Sequence, residues 1–228
     1  MFVSNYMISG GDYLVVFEHG WSLAVEEHSY LLLAGLALLT ARSAAAAMRL
    51  AVLLAVAAMA NGLWQSWAAP ETIGIYGRSD VRAASILTSF ALCLWLYGRA
   101  LPPAVLGWAA PFALAGGLAI GVGTGNEMLL CTAGTALLAI GVNLIDNSAA
   151  AVRKLLEEPV LRWFGLVSFS LYLWQQPSYA AGLQGAPWLH ALGFALLCGC
   201  LSYYAVERPA RRYLNARVTA PARPLPAC

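Results

Sequence analysis

The sequence predicts an all-α fold, a polytopic membrane helix bundle of about seven transmembrane helices, and three observations predict it. Of 228 residues, 61% are hydrophobic and the mean hydropathy is +0.69. Only 11% are charged, against roughly 25% in an ordinary soluble domain, so there is too little charge to coat a soluble globule. The apolar residues also fall in repeated runs of about twenty, the length at which a helix spans the hydrocarbon of a bilayer. Backbone groups in lipid must be satisfied internally, and the alternating pattern of a membrane barrel is absent, so these runs read as helices.

Seven apolar stretches follow one another at about 22–41, 48–66, 83–101, 104–123, 128–146, 164–183 and 187–206. Ala-rich and Gly-rich runs such as Ala44-Ala45-Ala46-Ala47 and Gly116-Gly117 suit close helix packing. The third and fourth stretches turn at Pro102-Pro103, where proline ends one helix and can open the next. The chain accordingly divides into an outer N-terminal segment (1–21), a transmembrane domain (22–206) and an Arg/Pro-rich tail (207–228), with disorder expected from Asn215 to Cys228.

Basic residues concentrate on the cytoplasmic side of membrane proteins. Taking the connections alternately, one side holds Arg42, Arg49, Arg99, Arg153, Lys154, Arg162, Arg208, Arg211, Arg212, Arg217 and Arg223, and the other holds Arg78 and Arg82. This asymmetry places the C-terminus in the cytoplasm and the N-terminus outside, as an odd number of spans requires, in a bacterial-type inner or plasma membrane. Residues 1–20 carry no lysine or arginine and lack the parts of a signal peptide. The net charge of +2 includes no basic block of the kind nucleic acid requires, so nucleic-acid binding is set aside. Cys93, Cys131, Cys198 and Cys200 lie in apolar runs and Cys228 ends the tail, with no metal-site or disulfide spacing.

Ionisable and polar residues inside a membrane are costly, which makes their positions the best guide to function. The first cluster runs from His19 through Trp21, Ser22, Glu26, Glu27 and His28 to Tyr30. Ser22, Glu26 and Tyr30 share a helical face at four-residue steps, and Glu27 points about a quarter turn away. A desolvated Glu26 would have the raised pKa that suits an acid or base near neutrality. The second cluster holds Arg78, Asp80 and Arg82, followed by Ser85 and Ser89 on the face of Arg82. Arg82 can hold an anionic group or simply pair with Asp80 or Glu26. In the third, Ser168, Tyr172, Gln175 and Tyr179 form a polar seam beside Trp174, and Pro177 would bend the helix toward its outer end. Helix-to-helix hydrogen bonding is the plain alternative for this seam, as for the pairs Asn61 with Gln65 and Asn143 with Asn147. Tyr203, Tyr204 and the arginines after Glu207 fit an interfacial anchor.

In this order the clusters resemble the acyltransferase-3 family, membrane enzymes that move acetyl or other short acyl groups onto sugars of surface polysaccharides, lipopolysaccharide and related glycans. The family's Trp-Ser-Leu-x-Val-Glu-Glu stretch is similar to Trp21-Ser22-Leu23-Ala24-Val25-Glu26-Glu27, which Tyr30-Leu31-Leu32 follows. Its Asp-x-Arg corresponds to Asp80 and Arg82, and its Gly-x-x-Ser-x-x-Leu-Tyr-Leu-Trp to Gly165, Ser168, Leu171, Tyr172, Leu173 and Trp174. Its terminal Glu-x-Pro-x-Arg-Arg corresponds to Glu207, Pro209, Arg211 and Arg212.

The resemblance implies an acyltransferase with acyl-CoA as donor, a glycan as acceptor and no tightly bound cofactor or metal. It implies catalytic roles for Glu26 and His19, with substrate binding by Trp21, Ser22, Tyr30, Asp80, Arg82, Ser168, Tyr172, Trp174 and Gln175. The chain departs from the pattern at Gln175, where many members carry histidine, and at His28-Ser29, where many carry Gln-Phe. The family's opening arginine-bearing segment and first-helix histidine have no equivalent here. Three or so preceding helices are therefore expected to be missing, or supplied by another chain. Two other readings stay open: an inactive membrane scaffold or complementing fragment, and a transporter, since polar seams also line solute paths. The absence of repeated half-structures and paired broken helices weighs against the last.

Overall fold

The computed structural model of the protein describes residues 5–6, 20–41, 43–68, 77–99, 107–123, 129–183 and 187–218, without the side chains of residues 179, 181–183 and 218. The described residues are helical almost throughout and contain no strand. In chain order the helices are α1 (Trp21–Leu39), α2 (Ala44–Ala68), α3 (Ser79–Leu96), α4 (Ala109–Gly123) and α5 (Thr135–Leu144). After them come the short α6 (Ala150–Leu156), then α7 (Pro159–Leu183), α8 (Trp188–Ser202) and α9 (Arg208–Val218). A π-helical turn, Leu130–Gly134, leads into α5, and another, Tyr203–Glu207, joins α8 to α9 without a break.

Helices thus fall in all seven apolar stretches, but among the described residues five are long and apolar enough to cross a membrane: α1, α2, α3, the continuous run Leu130–Asn147, and the run Trp188–Arg217. With 15 residues, α4 falls short of the roughly twenty that a perpendicular span needs. The 25-residue α7 is long enough, but Arg162, three serines and two glutamines dilute its apolar character.

The chain divides into two compact units, the first running to Glu157 and the second starting at Glu158 among the described residues. In the first unit α2 packs on α3, α4 on α5, and α3 on both α5 and α1. The interior is built from small residues. Ala47, Ala51, Ala55, Ala58 and Gly62 are the buried positions of α2, spaced three or four apart, so they form one stripe along which another helix can approach closely. At Gly62 the approach leaves no room for a side chain: a Cβ there would sit 2.9 Å from Val81 Cγ1. Gly117 plays the same part between α4 and α5, where a Cβ would meet the Leu138 side chain at 2.7 Å. Leu36 and Leu87 complete the cluster around the α2 stripe. Large apolar side chains point outward instead, Leu38 being 81% exposed and Phe112 72% exposed. Small residues inside and large ones outside is the arrangement lipid favours, because lipid tails are as apolar as leucine.

Polar side chains join the helices as well. Asn143 Nδ2 donates to Ser89 Oγ at 2.8 Å and to the Ser89 carbonyl at 3.2 Å, and the Ser85 and Thr135 hydroxyls meet at 3.3 Å. The face that Ser85 and Ser89 share therefore serves packing against α5.

In the second unit α7 packs on α8, closely enough at Gly199 that a Cβ would lie 2.6 Å from Leu171 Cδ2. Pro159 opens α7, where a missing N–H costs nothing. The helix continues through Pro177. The tail differs from expectation: the chain stays helical past Glu207 to Val218, so Asn215 and its neighbours are ordered in α9. The physical reason lies just before Pro209. The wide π turn at Tyr203–Glu207 already breaks the regular ladder where proline cannot donate, so the ring enters without ending the helix. His19, the Pro102-Pro103 turn and residues 219–228 lie outside the described residues.

Candidate functional site

Three helices of the first unit converge on one cavity of about 530 Å³. α1 contributes His28 and Leu32, one turn apart; α2 contributes Leu54, Ala57, Ala58 and Asn61; α3 contributes Ser79, Asp80, Ala83 and Leu87; and Tyr6 completes the lining. The polar members cluster at the end where α3 begins, while the leucines and alanines form the floor over the α1–α3 core. The size suits a small organic group, and the pattern of an apolar pocket with a few convergent polar groups is the usual one for binding sites.

Asp80 anchors the first polar network. Arg78 immediately precedes α3 in an extended conformation (φ −75°, ψ 131°), which lets its side chain fold back over the first turn. Its guanidinium grips the carboxylate with two hydrogen bonds, Nε to Oδ1 at 3.1 Å and Nη2 to Oδ2 at 2.9 Å. From α2, Asn61 Nδ2 donates to Oδ2 at 3.0 Å and Gln65 Nε2 reaches the same oxygen at 3.4 Å. Gln65 also donates to Asn61 Oδ1 at 3.0 Å, which orients the asparagine amide. The Asp80 carboxylate raises the Arg78 pKa above its ordinary value, chiefly through the hydrogen bond, against a smaller opposing effect of burial. The Arg78 guanidinium lies 5.4 Å from the centre of the Tyr6 ring, within cation–π range.

The second network is smaller and more reactive in kind. Ser79, the first residue of α3, places Oγ 2.6 Å from His28 Nδ1. Asn5 Nδ2 donates to the same Oγ at 2.9 Å and to the Gly77 carbonyl at 3.2 Å. The Tyr6 ring stands 6.3 Å from the imidazole, centre to centre. A hydroxyl so close to an imidazole nitrogen is the arrangement by which a base takes a proton from an alcohol.

The residues singled out in the sequence are distributed as follows. Ser22, Glu26 and Tyr30 share a face of α1 as expected, and the Tyr30 hydroxyl donates to Glu26 Oε1. Glu26 and Tyr30 are exposed, on the side of α1 opposite His28, while Glu27 is half-buried with Oε2 enclosed and unpartnered among the described residues. Trp21 and Ser22 are half-buried at the helix start. Asp80 lines the cavity. Its ion pair is with Arg78, whose extended backbone before the helix lets the side chain fold back, whereas Arg82 lies two residues on within α3, where side chains two apart do not face each other. Arg82 is half-buried.

In the second unit Ser168 is exposed and donates to the Gly165 carbonyl of its own helix at 2.9 Å. Tyr172 and Trp174 are half-buried, Trp174 meeting Phe194 edge-on at 6.2 Å, and Gln175 is exposed. The side chain of residue 179 lies outside the described part. Buried instead is Ser170, which donates to Glu207 Oε2 at 2.6 Å, while Glu207 Oε1 lies 2.9 Å from Arg211 Nη2.

Sequence reasoning did not select Ser79, Arg78, Asn5 or Tyr6 as site residues. Nothing in their spacing marks them, since 51 residues separate His28 from Ser79 and 72 separate Asn5 from Gly77. No family model, curated protein or solved structure matches the chain.

Proposed function

We propose that the protein is a membrane O-acyltransferase that moves a short acyl group, acetyl or a close homologue, from acyl-CoA to a sugar hydroxyl of a cell-surface glycan. The observation that carries the reading is the cavity of the first unit, whose apolar floor suits an acyl chain and whose mouth sets a hydroxyl–imidazole pair beside it. The succession of motifs from Trp21 to Arg212 adds the resemblance to the acyltransferase-3 family. On this reading about seven helices cross a bacterial-type inner or plasma membrane, with Arg208, Arg211, Arg212 and Arg217 on the cytoplasmic side and the mouth of the cavity, beside Arg78, facing out.

Acyl transfer to an alcohol needs a base for the hydroxyl proton and donors for the oxyanion that forms at the carbonyl. Imidazole at His28 supplies a base at the cavity. The resemblance gives catalytic roles to His19 and to Glu26, which Tyr30 holds on the exposed face of α1. Trp21, Ser22, Arg82, Ser168, Tyr172, Trp174 and Gln175 contribute to substrate binding by the same resemblance.

The test is the O-acyl content of the envelope glycans in cells that express the gene, together with any in-frame coding sequence upstream of Met1. Expression adds O-acyl groups, and His28→Ala lowers them by at least about a hundredfold, the scale of losing a general base. Glycans unchanged on expression contradict the reading and favour a scaffold.

A further inference from the structure

The most informative feature of the cavity is the direction of the hydrogen bonds at Ser79. Asn5 Nδ2 contacts the Gly77 carbonyl oxygen, which can only accept, so this atom is the amide nitrogen and donates to Ser79 Oγ as well. Ser79 Oγ therefore accepts from Asn5. Oγ also lies 2.6 Å from His28 Nδ1, and in the tautomer that leaves Nδ1 unprotonated the hydroxyl donates to it. A serine hydroxyl that accepts from an amide and lies within hydrogen-bond reach of an imidazole nitrogen is placed for deprotonation by it.

Two further observations bear on what Ser79 could attack. It opens α3, where the helix macrodipole favours negative charge developing nearby. It also stands at the polar end of the cavity, with Ala83 and Leu87 below it on the same helix. Eight residues of helix separate Ser79 from Leu87, about 12 Å at the α-helical rise, so a short acyl chain could lie along this wall with its carbonyl at Ser79. Asp80 is occupied by Arg78, Asn61 and Gln65 and is not part of the pair.

We propose that Ser79 is a catalytic nucleophile that carries the acyl group as a covalent ester, with His28 as its general base; this rests on the acyltransferase reading above. In the first half-reaction Ser79 Oγ bonds to the carbonyl carbon of an acyl thioester as its proton passes to His28 Nδ1. The C–S bond breaks, and the thiolate leaves with that proton as a free thiol. In the second, a sugar hydroxyl gives its proton to His28 Nδ1 and its oxygen bonds to the acyl carbon. The bond from carbon to Ser79 Oγ breaks, and Oγ recovers the proton. No electron transfer is involved. The acyl-serine has a physical use, because donor and glycan never need to occupy the cavity together.

The purified full-length chain is incubated with isotope-labelled acetyl-CoA without acceptor, quenched and mapped by peptide mass spectrometry, and a parallel sample receives glycan acceptor. The proposal expects one acetyl group on Ser79, discharged on adding glycan, absent in Ser79→Ala and formed at least about a hundredfold more slowly in His28→Ala. Ser79→Cys, which keeps the fold and a nucleophile, should trap the acetyl group as a thioester. Glycan acetylation by Ser79→Ala within twofold of the unsubstituted chain, with no label on Ser79, overturns the proposal and leaves the acyltransferase reading intact. Label on Ser79 that no glycan discharges keeps the nucleophile and overturns the glycan reading. Neither label nor transfer overturns both.

Discussion

At the residue scale, the chemistry turns on which side of a helix a polar residue faces. Glu26 and His28 are two positions apart, about 200° around α1 at 3.6 residues per turn, so the exposed Glu26–Tyr30 pair and the cavity-lining His28 cannot share a face. The same two-residue step separates exposed Ser168 from buried Ser170 on α7. Periodicity identifies which residues share a face, as it did for Ser22, Glu26 and Tyr30, but in a helix apolar nearly all round it does not say which face meets protein. That is why the polar stripe was legible and the His28–Ser79 pair was not.

Asn5 gives the sharpest prediction at this scale. It touches Ser79 only through a hydrogen bond and is a positioning residue, so Asn5→Ala should slow acyl-Ser79 formation by roughly threefold to tenfold, the equivalent of one neutral hydrogen bond. The KM for acetyl-CoA should change little. A raised KM with an unchanged maximal rate would show that Asn5 serves donor binding instead.

At the element scale, α2 and α3 are joined in two ways, by a stripe of small residues and by a polar knot around Asp80. The stripe could be read in outline, since Ala-rich runs suit close packing, and the close contact at Gly62 is its consequence. Gly62→Val places a side chain against Val81 and should destabilise the helix pair by roughly 1–3 kcal/mol, the usual cost of overpacking. Unfolding titrations in mild detergent would measure it, and an unchanged midpoint would mean that the helices are not held at this distance.

The knot was half legible. Asn61 and Gln65 were visible as a helix-joining pair, and Asp80 as a charge, but their meeting depends on the α2–α3 register. A double-mutant cycle on Asn61→Ala and Asp80→Asn should return a coupling of about 0.5–3 kcal/mol, as contacting residues do. Additive losses would show that the 3.0 Å contact contributes nothing.

At the scale of the whole molecule, helix positions were the most legible feature, because apolar length is a strong signal in a membrane chain. Ends were the least legible: the continuation of α8 through a π turn into α9 runs past Pro209, a residue that ordinarily closes a helix. The charge asymmetry predicts that a reporter fused after Val218 lies in the cytoplasm and a tag inserted at Gly77 is reached by impermeant reagents from outside. The reverse labelling would turn the cavity toward the cytoplasm, away from an external glycan, and contradict the orientation. The central claim, acyl transfer at this cavity, is tested most directly by adding isotope-labelled acetyl-CoA to membranes that contain the protein and counting label in extracted glycan. The account predicts label in glycan with the unsubstituted chain and a loss of at least about a hundredfold with His28→Ala; equal incorporation by membranes with and without the protein would contradict it.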